Sequence, residues 1–168
     1  MHPEIDRRFK AIEDRRHAMV ARVRALPKDK QSLKPDENHF SPVEVIMHMA
    51  LAEQFDMAFV RKAPPETLKG KKPKMTFIFR KTVEMMAKPV REVRTMGAMV
   101  PKGVESLTEA DTAWDEVRRE TAEYLEKLES PQDPLVKFLF FFGLASASDY
   151  LTLIEAHMTY HEQRFPQV

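Results

Sequence analysis

The sequence lacks cysteine, has only four glycines among its 168 residues, and contains no long apolar run. Without cysteine the chain can form no disulfides, thiolate metal ligands or cysteine nucleophile. So few glycines disfavour a turn-rich β fold. The longest apolar run, residues 138–147, has about half of the ~20 residues that a membrane-spanning helix needs. The first residues are charged and lack the apolar core of a signal peptide, so we expect a soluble, cytoplasmic protein.

An excess of charge of either sign is also missing. The 27 basic and 26 acidic side chains give a formal net charge of +1, so nothing points to nucleic acid or an anionic membrane as a partner. We expect a small-molecule substrate instead. With 43% apolar residues the composition is that of an ordinary globular protein, and the length predicts a single domain over residues 1–168.

Apolar residues recur at helical spacing in four long segments, which predicts an all-α fold in the form of an antiparallel four-helix bundle. A serine followed three residues later by Glu or Asp marks three of the helix starts as capping boxes. The predicted helices are residues 4–26, 42–60, 106–128 and 147–164.

The connections between these helices differ in character. Residues 75–87 fit a short helix or a strand by composition, and their length favours an extra short helix. Residues 88–105, between helices two and three, form a Pro-containing excursion longer than a typical connection, so they are a candidate wall or lid of a site. Residues 135–144 include three consecutive phenylalanines and fit a short helical turn, a pocket wall or a subunit contact.

Two histidines in the last predicted helix suggest a metal site. His157 and His161 lie four residues apart, which places their side chains on one helix face, one turn apart. Two imidazoles so placed can bind one divalent cation. His48 of the second helix offers a third ligand, because it lies on the predicted core stripe of that helix. The apolar members of that stripe are Val45, Ala52, Phe55 and Phe59.

One inward histidine is more often a hydrogen-bonded core residue, but three are harder to explain in that way. Each ring brings two nitrogens that need partners after leaving water. A shared metal meets one nitrogen of each ring, and the others can donate to carbonyls or carboxylates. Glu44 and Glu155 are candidates for such outer-shell carboxylates, with ordinary capping or surface roles as the alternative.

Three neutral nitrogen ligands would leave at least one coordination position open, which is typical of a catalytic metal site. Zinc or nickel is the expected ion, and iron and manganese stay open as alternatives. No catalytic side chain stands out from the sequence. The reacting group would be a metal-bound water or a metal-bound thiol.

The motif Ser41-Pro42-x-Glu44-Val45-x-x-His48, followed by His157-x-x-x-His161, resembles the DinB/YfiT-like superfamily of metal-binding four-helix bundles. The resemblance covers nearly the whole chain in helix order. It includes the Gly143-Leu144-x-Ser146 entry to the last helix.

The metal triad of that family maps onto His48, His157 and His161. Many members carry histidine just before the last ligand and glutamine three residues after it. This chain has Tyr160 and Arg164 at those positions, so the outer part of its site departs from the family pattern.

The resemblance also implies an activity. Relatives include transferases that use low-molecular-weight thiols such as bacillithiol and a mycothiol-dependent isomerase, in which the metal activates the thiol. Others are described as metal-dependent hydrolases or have no known activity. We therefore expect a thiol-dependent S-transferase of detoxification type, with a metal-dependent hydrolase or a non-catalytic binding module as alternatives. Dimers are common in the family, so a homodimer is expected. Arg61, Lys62 or Arg91 could hold the carboxylates of the thiol.

Overall fold

The computed structural model describes residues 1–88, 95–104, 106–137 and 142–165. Most of them are helical, which confirms the prediction of an all-α helical bundle. The helices are α1 (Pro3–Ala25), α2 (Lys28–Gln31), α3 (Pro42–Lys62), α4 (Pro65–Leu68), α5 (Phe77–Ala87), α6 (Leu107–Leu125) and α7 (Ala147–Glu162), with a 3-10 turn at Gly97–Met99. Three short strands are β1 (Lys74–Met75), β2 (Pro134–Lys137) and β3 (Gly143–Ser146). Among the described helices, none combines the length and the apolar character needed to cross a membrane.

Capping boxes begin the two helices that carry the histidines. The Ser41 hydroxyl accepts a hydrogen bond from the backbone N–H of Glu44, and the Glu44 carboxylate accepts one from the N–H of Ser41. Ser146 and Asp149 repeat the arrangement at the start of α7. Each box satisfies backbone donors that a helix start leaves unpaired. Local sequence therefore determines where α3 and α7 begin, and with that the height of each histidine along its helix.

One hypothesis for residues 135–144 was a short helical turn, but the described part of this segment belongs to a small antiparallel sheet. β3 lies between β1 and β2 and pairs with both. The helical reading is therefore wrong for the described residues of this segment, while residues 138–141 lie outside them. Gly143 has a φ of 97°, and a Cβ there would collide with the carbonyl oxygen of Lys74. Glycine at this position thus permits the close approach of β1 and β3.

The core lies where α3 packs along α6 and where α7 packs against α1 and α5. The predicted core stripe of α3 is correct at His48 and Ala52, which are buried. Val45 and Phe59 are partly buried and pack against the edge of the core, whereas Phe55 is partly buried and is not among the residues that pack against it. The buried face of α3 also follows helical spacing, but one of its members is charged and so interrupts the apolar pattern in the sequence. Its members are Ile46, Met49, Ala50, Glu53, Met57 and Val60.

Two buried arginines tie α1 to α3 and α6. Arg16, which interrupts the apolar stripe of α1, is only 2% exposed and pairs with Glu13, Asp111 and Asp115. Arg118 of α6 is equally buried and donates to the carboxylates of Glu13 and Glu53. These charges are accommodated inside the bundle because each guanidinium meets more than one carboxylate.

Candidate metal centre

The three predicted histidine ligands come together between α3 and α7. His48 and His161 are buried, and His157 is partly buried. The Nε2 atom of His157 lies 3.2 Å from Nε2 of His48 and 3.1 Å from Nε2 of His161. The ligand atoms of all three rings lie within 4.8 Å of one another. The structure thus brings together side chains that are 109 residues apart in sequence.

The two separations at the His157 nitrogen suit a shared cation. Two nitrogens bound to one tetrahedral zinc at about 2.0–2.1 Å each would lie about 3.3 Å apart. The Nδ1 atom of His48 lies 2.8 Å from the carbonyl oxygen of Met99, which can only accept a hydrogen bond. Nδ1 of His48 therefore carries the proton of the neutral ring, and its Nε2 presents a lone pair toward His157.

Neutral rings alone leave this cluster unsatisfied. Nε2 of His157 faces two nitrogens but holds at most one proton, so it can donate to only one of them. If His161 donates to it instead, the lone pairs of His48 and His157 face each other. Either arrangement leaves one close pair of nitrogens without a hydrogen bond between them, and an added proton or a metal cation would satisfy that pair. The donor set therefore fits a metal ion.

Protonation of one of the rings is less favourable than binding of a metal cation. Burial lowers the pKa of His157 to about 3, with a further contribution from the nearby His48. Burial also lowers the pKa of His161 well below its ordinary value. For His48 burial lowers the pKa, partly offset by the hydrogen bond to Met99. All three imidazoles are thus held neutral, which is the form that binds a metal.

Acid should destabilise the metal-free protein through His157. Its pKa of about 3 in the folded protein lies below the ordinary value of 6.5, so between these values only the unfolded chain binds the proton. Stability is therefore unaffected above pH 6.5 and falls as the pH drops toward 3. Urea unfolding should show a loss of about 2 kcal/mol from this group between pH 6.5 and roughly pH 5. A His157→Gln variant should be spared that part of the loss, and equal losses in both proteins would contradict the expectation.

The two carboxylates considered for the outer shell have other partners. Glu44 accepts from the backbone of Ser41 and pairs with Lys34. Glu155 accepts two hydrogen bonds from Arg8. These contacts account for both carboxylates without a histidine. The outer-shell group that the structure does place against a ring is the Met99 carbonyl, in a segment for which the sequence predicted no regular structure.

A cavity of about 270 Å³ opens beside the histidines. The described part of the excursion at residues 88–105 contributes Thr95, Met96 and Met99 to its wall, in agreement with the predicted role of that segment. Phe142 also lines it, which agrees with the pocket-wall reading of residues 135–144. The lining is mainly apolar, so this space suits an apolar part of a small molecule. The other described lining residues are His48, Met49, Ala52, Glu53, Asp56, Thr82, Met86, Leu153, Ile154, His157, Tyr160 and His161.

A second cavity, of about 570 Å³, adjoins the first. Thr95, Tyr160 and His161 line both cavities and so separate them. Arg164 lines the second cavity, and its guanidinium carbon lies 3.8 Å from the ring centroid of Tyr160. Tyr160 therefore lies at the boundary between the two cavities, and Arg164 forms part of the wall of the larger one. These are the two positions at which the chain departs from the family pattern.

The basic residues proposed to hold a thiol are placed elsewhere. Arg61 forms an ion pair with Glu120, and the ammonium of Lys62 lies over the ring of Phe59. Neither lines the two cavities. Arg91 lies outside the described residues. Arg164 is the arginine that the described residues place beside the histidines.

Two acidic residues that line the first cavity were not predicted as site residues from the sequence. Glu53 and Asp56 of α3 both line it, and Asp56 is two turns from His48 on the same helix face. Burial raises the pKa of Asp56 well above its ordinary value, and the charge of Glu53 raises it further. The spacing of four residues from His48 through Ala52 to Asp56 was the available signal, but an apolar stripe drawn through Phe55 obscured it.

A protein-family match covers most of the chain and includes all three histidines. The family model of the DinB superfamily matches residues 11–163. No curated protein and no solved structure matches the chain.

Proposed function

This chain belongs to the DinB superfamily, and on that basis we propose that it is a metal-dependent enzyme that transfers a low-molecular-weight thiol to an electrophile. The observation that carries the proposal is the convergence of three neutral imidazole nitrogens beside a mainly apolar cavity. Zinc or nickel is the proposed ion, since both accept imidazole nitrogens in the absence of thiolate ligands from the protein.

The protein would contribute the ligands and the shape of the site. His48, His157 and His161 would hold the cation, and the Met99 carbonyl fixes the tautomer and orientation of the His48 ring. When bound, a divalent cation lowers the pKa of a thiol and so raises the fraction present as thiolate. The apolar lining excludes water from the electrophile, which favours attack by sulfur over hydrolysis.

Thiol transfer is preferred to hydrolysis because no described carboxylate contacts a ring nitrogen of the three histidines. A hydrolase of this type needs a general base within hydrogen-bond reach of the attacking water. Of the two acidic residues that line the cavity, Glu53 is occupied by Trp114 and Arg118, and Asp56 is two turns of α3 away from His48, so both are poorly placed to serve. A non-catalytic role would leave the cavity beside the three imidazoles without an explanation.

Product analysis with 1-chloro-2,4-dinitrobenzene tests the proposal. In thiol transfer the sulfur–carbon bond forms, chloride leaves with its bonding pair, and the thiol proton passes to solvent. Protein loaded with zinc or nickel should form the thioether of bacillithiol or mycothiol at least about tenfold faster than the solution reaction. Chelation of the metal or a His157→Ala substitution should remove that acceleration. Formation of 2,4-dinitrophenol at a rate independent of thiol would instead identify a hydrolase.

We also propose that the protein is a homodimer in the cytoplasm. Phe77, Ile78 and Met85 of α5 are large apolar side chains that are 64%, 51% and 42% exposed, and pairing with a second copy would cover them. A cytoplasmic location accords with a reaction that consumes a reduced thiol. Sedimentation equilibrium tests the dimer, and a monomer at micromolar concentration would contradict it.

A further inference from the structure

Asp56 shares a helix face and a cavity with the candidate metal ligand His48. The two residues are separated by two turns of α3, with Ala52 between them, and all three line the first cavity. At 1.5 Å per residue, their Cα atoms lie about 12 Å apart along the helix axis. A small molecule in this cavity can therefore approach the histidines with one part and Asp56 with another.

The Asp56 carboxyl has no hydrogen-bond or ion-pair partner among the described residues. Its neighbour Glu53 differs, because one of its oxygens accepts from Trp114 and the other from Arg118. The described lining of the cavity contains no lysine or arginine that could neutralise Asp56. Burial and the charge of Glu53 hold its pKa well above the ordinary value, which reflects the cost of an unpaired negative charge at this place.

Much of the remaining cavity wall is apolar and adaptable. Met86, Met96 and Met99 line it together with Phe142 and Leu153. Thioether side chains adjust to ligands of irregular shape and make favourable contacts with aromatic rings. The volume of about 270 Å³ is nearly twice that of a cavity of ~150 Å³ that holds benzene, so an aromatic ring with a short alkyl chain would fit.

We propose that Asp56 is a specificity-determining residue, which binds the amino group of an apolar amine and so defines the substrate class of the enzyme. An ammonium group would supply the positive charge that the described cavity wall lacks, and it would form a charge-assisted hydrogen bond with the carboxylate. The apolar part of the amine would fill the space between Asp56 and the histidines. The identification of this ligand as a substrate rests on the proposed function, whereas binding of the amine does not require a metal.

Three probes of similar shape and different charge test this assignment. They are 3-phenylpropylamine, 3-phenylpropanol and 3-phenylpropanoate, and their affinities are measured by calorimetry on metal-free and on zinc-loaded protein. In its metal-free form the wild-type protein should bind the amine at least tenfold more tightly than the alcohol, and the carboxylate most weakly. In an Asp56→Asn variant the preference for the amine over the alcohol should fall to twofold or less, with the affinity for the alcohol unchanged.

The control is Asp14→Asn, the same substitution at an exposed position of α1, which should keep the full preference for the amine. Asp56→Glu retains the charge and should keep part of that preference, and Asp56→Ala provides a second neutral variant if the asparagine variant does not fold. Equal binding of amine and alcohol by the wild type, no binding of the amine at millimolar concentration, or an undiminished preference in both neutral variants would overturn the proposal.

The same titrations separate this inference from the proposed function. Zinc binding is measured on the wild type and on Asp56→Asn, and it should be the same in both within about twofold, because Asp56 is two turns away from His48. An amine preference that depends on Asp56 in protein that binds neither zinc nor nickel would support this inference and overturn the metal-dependent function. Zinc binding without an amine preference would support the metal site and overturn this inference.

Discussion

Replacement of His157 by alanine should lower the affinity of the protein for zinc or nickel by about a hundredfold or more. Its Nε2 atom is the central one of the cluster, at 3.2 Å from that of His48 and 3.1 Å from that of His161. Loss of an outer-shell partner alone typically costs ten- to a hundredfold in metal affinity, so loss of a ligand should cost at least the upper end of that range. Competition with a chromogenic chelator measures the affinity, and the rise in melting temperature on adding metal should disappear with it.

His17→Ala is the matched control for this experiment. His17 is exposed on α1, and its ring contacts Arg16 instead of the cluster. Metal affinity in this variant should equal that of the wild type, so any general effect of removing a histidine is accounted for. A His157→Ala protein that keeps its metal affinity within about threefold would show that the three rings do not hold the ion together.

The parts of the site that could be predicted are those that depend on local sequence. The capping boxes at Ser41 and Ser146 set the helix starts, and a spacing of four residues places His157 and His161 on one face. The position of His48 in α3 followed from the same reasoning. Such signals lie within one helix, so they can be recognised without knowledge of the rest of the fold.

The small sheet could not be predicted in the same way. β1 has two residues and β3 has four, which is too short to show the alternation of a strand. Their pairing joins Lys74 to Leu144, which are distant in sequence. The Met99 carbonyl that fixes His48 belongs to a segment whose place is determined by packing and not by a local pattern.

Charged residues in the core caused the remaining errors. Glu53 is 2% exposed, but a charged residue in an apolar pattern is normally assigned to the surface. Only the presence of Trp114 and Arg118 opposite α3 makes its burial favourable, and neither contact can be seen from the sequence of α3 itself. For that reason the predicted core stripe of α3 ran through Phe55 and Phe59 instead of Glu53. Asp56, like Glu53, was therefore not predicted to line the cavity.

Replacement of Glu53 by alanine should lower the free energy of unfolding by about 3–5 kcal/mol. The Glu53 carboxylate accepts a hydrogen bond of 2.7 Å from the indole N–H of Trp114 and one of 2.9 Å from the Arg118 guanidinium. Without it, a buried indole donor loses its acceptor, and Arg118, which is 2% exposed, keeps Glu13 as its one counter-charge among the described residues. Loss of the Glu53 charge also relieves Asp56, so we expect a value near the lower end of the range.

Urea unfolding of the metal-free protein measures this effect without a contribution from metal binding. Glu116→Ala on the exposed face of α6 is the control, and it should change stability by no more than about 0.5 kcal/mol. One Nη atom of Arg118 already has no hydrogen-bond partner among the described residues, so the guanidinium has little capacity to replace the lost contact. A loss below about 1 kcal/mol for Glu53→Ala would mean that water or another carboxylate takes over the role of Glu53, and that the buried charges do not hold α3 against α6.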